Sequence, residues 1–265
     1  MKKILAFYLY GNFHLSLCGF VLSYGFQNYF LKTSTVFLST FVSIAIFIMY
    51  YIQQTFWHNI NDENSDQTNW LLHNKKIFDK IFVGLFIIEI FLFFKLTFSF
   101  VQIIFLAFLS IISILYVFPR KSALRNIPYL KNFIISAIWT GTLFILPSIE
   151  NFFSNNLWQV YSAFFIFYFL LTVIFDIKDN EKDSIKTFAN LLGKKMQLLL
   201  HFLNIFLLFG FYLTPFFKDL KPEIFFINLY IYFLIRFIGK PNKLLYYHGL
   251  IDLSSLLLGL ILYLK

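Results

Sequence analysis

Apolar residues in this chain come in long runs separated by short polar breaks. The runs cover about 4–26, 36–57, 77–95, 98–118, 132–148, 156–175, 197–217, 223–239 and 245–264. A helix that crosses the hydrocarbon core of a bilayer needs about 20 mainly apolar residues, and most of these runs approach that length. The strict alternation of barrel strands is absent. Lipid offers no water to satisfy an open backbone, so helices are the element this pattern predicts. The expected fold is all-α: a polytopic membrane protein of about nine transmembrane helices. No linker or shift in composition divides the chain, which predicts a single transmembrane domain over 1–265.

Composition strengthens this reading. The chain is 59% hydrophobic and 13% charged, with 40 Phe and 16 Tyr, against roughly 45–50% and 25% for soluble domains. A water-soluble bundle of this size could not hide that much aromatic surface. The start, Met1-Lys2-Lys3 before an apolar run, superficially suggests a secretion signal. No small-residue cleavage site follows, and Asn12 and His14 interrupt the apolar core, so the segment reads as the first span. The lone Cys18 cannot form an intrachain disulfide.

Charge sets the orientation. Lys2, Lys3, Lys75, Lys76, Lys80, Arg120, Lys121, Arg125, Lys131, Lys178, Lys182, Lys186, Lys194, Lys195, Arg236, Lys240 and Lys243 fall on one predicted side. Lys32, Lys95, Lys218, Lys221 and Lys265 fall on the other. The positive-inside rule puts the amino terminus in the cytoplasm and the carboxyl terminus outside, in a bacterial inner membrane. This bias accounts for the net charge of +9, so no nucleic-acid partner is expected.

Two polar breaks carry candidate chemistry. Asp176, Asp179 and Asp183 stand at i, i+3 and i+7, which puts them on one helix face just after an apolar run. Asn59, Asp62 and Asp66 repeat that spacing after the run that ends near Trp57. Carboxylates crowded on one face repel unless a cation holds them. Hard ions such as Mg²⁺ take oxygen ligands from carboxylates, waters and substrate phosphates. Two such faces on the cytoplasmic side predict a Mg²⁺ site that clamps a diphosphate. Lys131, Lys178 and Lys186 are the cations expected nearest to it, with Arg120 and Arg125 behind.

The second acidic run resembles that of the UbiA superfamily of intramembrane prenyltransferases. Asp176-x-x-Asp179-x-x-x-Asp183 is followed by Ile185-Lys186-Thr187 and by Leu191-Leu192-Gly193, much as in the family. In the first run, His58 and Asn59 stand where the family has Asn and Asp, while Asp62 and Asp66 keep their places. An alternative register from Asn61-Asp62 would put Ser65 and Asn69 at the two later positions. The link between Asp183 and Ile185 is short and lacks the usual Gly.

The resemblance implies a helical bundle around a central cavity open to the cytoplasmic side, and a Mg²⁺-dependent prenyltransferase of isoprenoid or quinone biosynthesis type. Its partners would be a polyprenyl diphosphate, a hydrophobic or aromatic acceptor, and the lipid bilayer. Asn59, Asp62, Asp66, Asp176, Asp179 and Asp183 would then be the metal ligands, the five acids among them being catalytic. Lys131, Lys178, Lys186 and Arg120 would bind the diphosphate. Two other readings stay open: a catalytically weakened family member that binds isoprenoid or quinone, and a small-solute transporter.

Other polar residues inside the runs have plainer expected roles. Asn12 and His14 are expected to pack. Glu89 is expected to pair with Lys95 or to reach toward water. His248 and Asp252, at i and i+4, are expected to link helices. His58, His73 and His201 show no zinc-ligand spacing.

Overall fold

The computed structural model describes residues 2–57, 66–119, 122–151, 157–179, 195–238 and 245–265. Among these every long regular element is helical. They are α1 (Lys2–Tyr10), α2 (Phe13–Phe26), α3 (Val36–Trp57), α4 (Asp66–His73), α5 (Lys75–Lys95) and α6 (Phe100–Val117). Then come α7 (Leu130–Thr140), α8 (Trp158–Asp179), α9 (Met196–Leu213), α10 (Lys221–Arg236) and α11 (Asp252–Leu264). Wide π turns extend α2 over Gln27–Leu31 and α7 over Gly141–Ile145, and another leads into α11 over Tyr246–Ile251. Local chemistry marks the ends. Ser99 caps α6 by accepting from the Gln102 amide, while the Gln102 side chain accepts from the Ser99 amide.

Each expected apolar run coincides with a helical stretch, but not each is a full span. Among the described residues six stretches are long and apolar enough to cross a membrane: Val36–Thr55, Phe100–Val117, Leu130–Ser148, Trp158–Ile177, Met196–Leu213 and Tyr246–Leu264. Ile4–Tyr10 and Phe13–Leu31 add a seventh if counted together, although they meet at 58°. That bend falls at Asn12, which takes the left-handed conformation at φ 62°. The count of nine is therefore not reached on length and composition. α5 is long enough, but Asp79, Lys80, Glu89 and Lys95 interrupt it. α10 has 16 residues, or about 24 Å at 1.5 Å per residue, short of a ~30 Å core.

Helices adjacent in the chain pack side by side from α6 to α11, and α11 closes against α2, which also packs on α3. The closure is a backbone contact. A Cβ on Gly25 would lie 2.2 Å from the Gly259 carbonyl oxygen, and one on Gly259 would lie 2.6 Å from the Leu22 Cα. Between α2 and α3, Ser16 and Ser43 each donate a hydroxyl to the other's carbonyl, at 2.6 and 2.9 Å. Small residues and interhelical hydrogen bonds hold such helices together because lipid is as apolar as the side chains. Much of the outer surface is apolar, with Ile87, Phe94, Phe100, Phe202, Phe209 and Phe226 all exposed. That surface fits a protein solvated by lipid, and the chain is an integral membrane protein of helical architecture.

Candidate functional site

The site is built on one antiparallel helix pair, α7 against α8. Four contacts fix its register. The Lys131 ammonium lies 2.8 Å from Asp176 Oδ1. Further along, Trp139 stacks on Tyr168 with ring centroids 5.0 Å apart, and Phe144 stacks on Phe164 at 3.9 Å. At the far end the Ser148 and Tyr161 hydroxyls are 2.6 Å apart.

The Lys131–Asp176 pair is nearly out of water, with side-chain exposures of 12% and 2%. Burying both charges costs several kcal/mol each, and their attraction offsets this only while both are present. Helix dipoles do not help, because Lys131 lies in the first turn of α7 and Asp176 in the last turn of α8. A cation at an N-terminus and an anion at a C-terminus are each placed against the dipole. Asp176 Oδ2 is also buried, with no hydrogen-bond partner among the described residues. A buried carboxylate oxygen with a free lone pair is a hard donor of the kind Mg²⁺ takes, so Asp176 fits a metal site on its chemistry.

The fold is similar to that of a solved structure, digeranylgeranylglyceryl phosphate synthase in membranes. The likeness covers 100% of this chain and 98% of that one, with a TM-score of 0.54 and 15% identity. No family model matches the chain, and no curated protein sequence matches it. At this identity the likeness is one of fold.

The other candidate residues divide by where they fall. Lys178 and Asp179 close α8, directly after the turn that holds Asp176, and Asp66 opens α4. Asn59, Asp62, Arg120, Asp183 and Lys186 lie outside the described residues. Among the described residues, no group of three or more His, Cys, Asp and Glu side chains comes together.

The ends of the first acidic segment are tied to a common point. The Asn12 amide donates to Gln54 Oε1 at 2.9 Å, and its oxygen accepts from Gln67 Nε2 at 3.0 Å. Gln67 also donates to the Tyr10 carbonyl at 3.2 Å. Asn12 thus holds the end of α3 and the start of α4 at the bend between α1 and α2. His14 packs as well: Nδ1 lies 3.0 Å from the Tyr8 hydroxyl and Nε2 lies 3.2 Å from the Gly249 carbonyl.

The expected Glu89–Lys95 pair is not formed. Lys95 places its ammonium 3.6 Å from the Phe37 ring centroid instead, and Glu89 Oε2 is buried without a partner. Lys95 ends α5, so the face of an aromatic ring on α3 is closer at hand than a side chain nearly two turns back. His248 sits in the π turn before α11, its ring 5.8 Å from Tyr10 and 6.3 Å from Phe175, the neighbour of Asp176.

A second set of polar residues escaped the sequence reading. Asn132, Ser136 and Thr140 recur at i, i+4 and i+8 on α7, and all three are buried. On α8, Tyr168, Thr172 and Asp176 recur with the same spacing. The Ser136 hydroxyl donates to the Asn132 carbonyl and the Thr172 hydroxyl to the Phe169 carbonyl. The Asn132 side-chain amide, both atoms of it, and the Thr140 hydroxyl have no partner among the described residues. The Tyr168 hydroxyl, near Ser255 of α11, makes no hydrogen bond of good geometry. The signal was present as a polar stripe at helical spacing within the run 132–148.

Proposed function

We propose that this protein is an intramembrane prenyltransferase of the UbiA type. It would transfer a polyprenyl group from its diphosphate to an acceptor inside the bilayer. The observation that carries this reading is the position of the second acidic run. Asp176, the first of three acids at metal-binding spacing, ends a buried helix with one oxygen on Lys131 and the other open. The fold likeness over the whole chain agrees with it.

In this reading Asp176, Asp179 and Asp183 on one side, and Asn59, Asp62 and Asp66 on the other, hold Mg²⁺. The metal would neutralise the departing diphosphate and so lower the barrier to breaking the allylic C–O bond. Lys131 holds Asp176 in place and brings positive charge to the side from which a diphosphate would approach. Lys178, Lys186 and Arg120 supply further positive charge. Closely packed helices keep water from the allylic cation until the acceptor attacks it. The acidic runs face the cytoplasm, in keeping with the distribution of Lys and Arg.

The test is diphosphate release from geranylgeranyl diphosphate by the purified protein in lipid nanodiscs, with a mixture of acceptors. Release is expected with Mg²⁺. It should vanish with EDTA and in Asp62→Ala and Asp176→Ala. A protein that neither binds nor cleaves the diphosphate would refute the reading.

A further inference from the structure

Tyr10, the last residue of α1, reaches toward both helix ends that carry the acidic runs. Its carbonyl accepts at 3.2 Å from Gln67, the residue after Asp66 at the start of α4. Its ring lies 6.0 Å from Trp70, one turn further along α4. The same ring meets His248 edge-on at 5.8 Å. His248 in turn lies 6.3 Å from Phe175, the residue before Asp176 on α8. Trp70, Tyr10, His248 and Phe175 thus form a chain of rings that joins α4 to the end of α8.

Local devices hold Tyr10 in that place. Asn12 adopts the left-handed conformation, and α1 meets α2 at 58° there. The Asn12 oxygen also accepts from Gln67, so one side chain fixes both the bend and the start of α4. On the opposite side, His14 ties the π turn that carries His248, with Nε2 3.2 Å from the Gly249 carbonyl. Its Nδ1 lies 3.0 Å from the Tyr8 hydroxyl, which anchors α1 to the same point.

A link made of rings is stiff. Tyr and Trp turn about two side-chain bonds, so ordering them loses little freedom, and edge-on contacts have a preferred geometry. Stiffness matters where two helix ends supply ligands to one ion, because Mg²⁺ demands near-octahedral oxygen geometry at about 2.0–2.1 Å. Residues that orient ligands without touching the metal change its affinity by about 10–100-fold when replaced.

We propose that Tyr10 is a positioning residue: through it α1 braces the start of α4 against the end of α8 and sets the spacing of the two acidic helix ends. As a condition for Mg²⁺ binding this rests on the prenyltransferase reading; as a brace it rests on these contacts alone.

Two measurements on the full-length protein in nanodiscs test it, in the wild type, Tyr10→Phe, Tyr10→Leu and His248→Leu. The first is the Mg²⁺ dependence of diphosphate release from geranylgeranyl diphosphate. Tyr10→Leu and His248→Leu should each raise the half-saturating Mg²⁺ concentration about tenfold, while Tyr10→Phe, which keeps the ring, should match the wild type. The second is the distance distribution between spin labels at His73→Cys and Leu245→Cys, two exposed positions on α4 and before the π turn. Cys18 is buried and leaves the labelling to these sites. The distribution should be narrow in the wild type and Tyr10→Phe, and broad in both leucine variants. Leucine variants that melt lower but keep the wild-type distances and Mg²⁺ requirement would overturn the proposal, since Tyr10 would then only pack. Broadened distances with an unchanged Mg²⁺ requirement would overturn the positioning role. Broadened distances in a protein that never releases diphosphate keep the brace and lose prenyl transfer. Release that no leucine variant alters, at unchanged distances, keeps prenyl transfer and loses the brace.

Discussion

The two halves of the α7–α8 pair are built on opposite principles. From Lys131 to Thr140 the helix pair holds one buried salt bridge and one aromatic stack, with several buried polar groups that lack partners among the described residues. From the π turn at Gly141–Ile145 onward it becomes aromatic and closed. There Phe144 and Phe164 stack, Phe26 approaches Phe144 at 5.0 Å, and Phe211 meets Phe217 at 4.8 Å. These five rings are almost wholly buried. The closed half contributes stability through dispersion and ring geometry. The open half gives up stability by burying charge and polar groups without partners among the described residues. In the proposed reading the closed half holds the fold together and the open half does the chemistry.

The sharpest test of that division is Asp176→Ala, which removes one charge of a buried pair and a proposed metal ligand. Prenyl transfer should fall by at least about a hundredfold. Stability should drop by about 3–5 kcal/mol, since one member of a buried ion pair is removed. Replacing both partners, as Lys131→Met with Asp176→Leu, separates the two effects. Thermal unfolding should show wild-type stability or better, while activity stays lost. A stable and active double variant would end the idea that this half is the working one.

Phe164→Ala probes the other half and should cost about 3–5 kcal/mol in denaturant unfolding by opening a cavity. The Mg²⁺ dependence of the surviving activity should not move. A changed metal requirement would mean that the halves are not separable. Gly259→Ala should cost about 1–3 kcal/mol, because the added carbon meets the Leu22 backbone, again without altering metal dependence. The smallest effect is expected from Glu89→Gln. An acid away from the α7–α8 pair should leave diphosphate release unchanged, whereas solute flux that depends on it would favour transport.

Helices were legible in the sequence because lipid leaves the backbone no alternative, and among the described residues each of the nine apolar runs falls on helix. On length and composition six or seven of those stretches qualify as spans. The charges in α5 and the shortness of α10 weigh on that question separately from the mean. Lys131 and Asp176 were singled out from charge and spacing, and they lie together at the meeting of α7 and α8. Their chemical roles belong to the proposal. The Asn132–Ser136–Thr140 stripe could have been found by applying to polar residues the same periodicity used for apolar ones. The bonds from Asn12 to Gln54 and Gln67 could not, because they join residues far apart in the chain and depend on a bend at Asn12.

The contact between Gly25 and Gly259 also bears on how the molecule is made. α11 leaves the ribosome after every other helix described. Until then Gly25 lacks the backbone it packs against, although Phe26 of α2 can already meet Phe144 and Phe164. Arrival of α11 therefore completes the packing around α2 as a late step. A nascent chain stalled before residue 245 should remain accessible to chaperones and membrane proteases along α2, and release of the last helix should end that exposure.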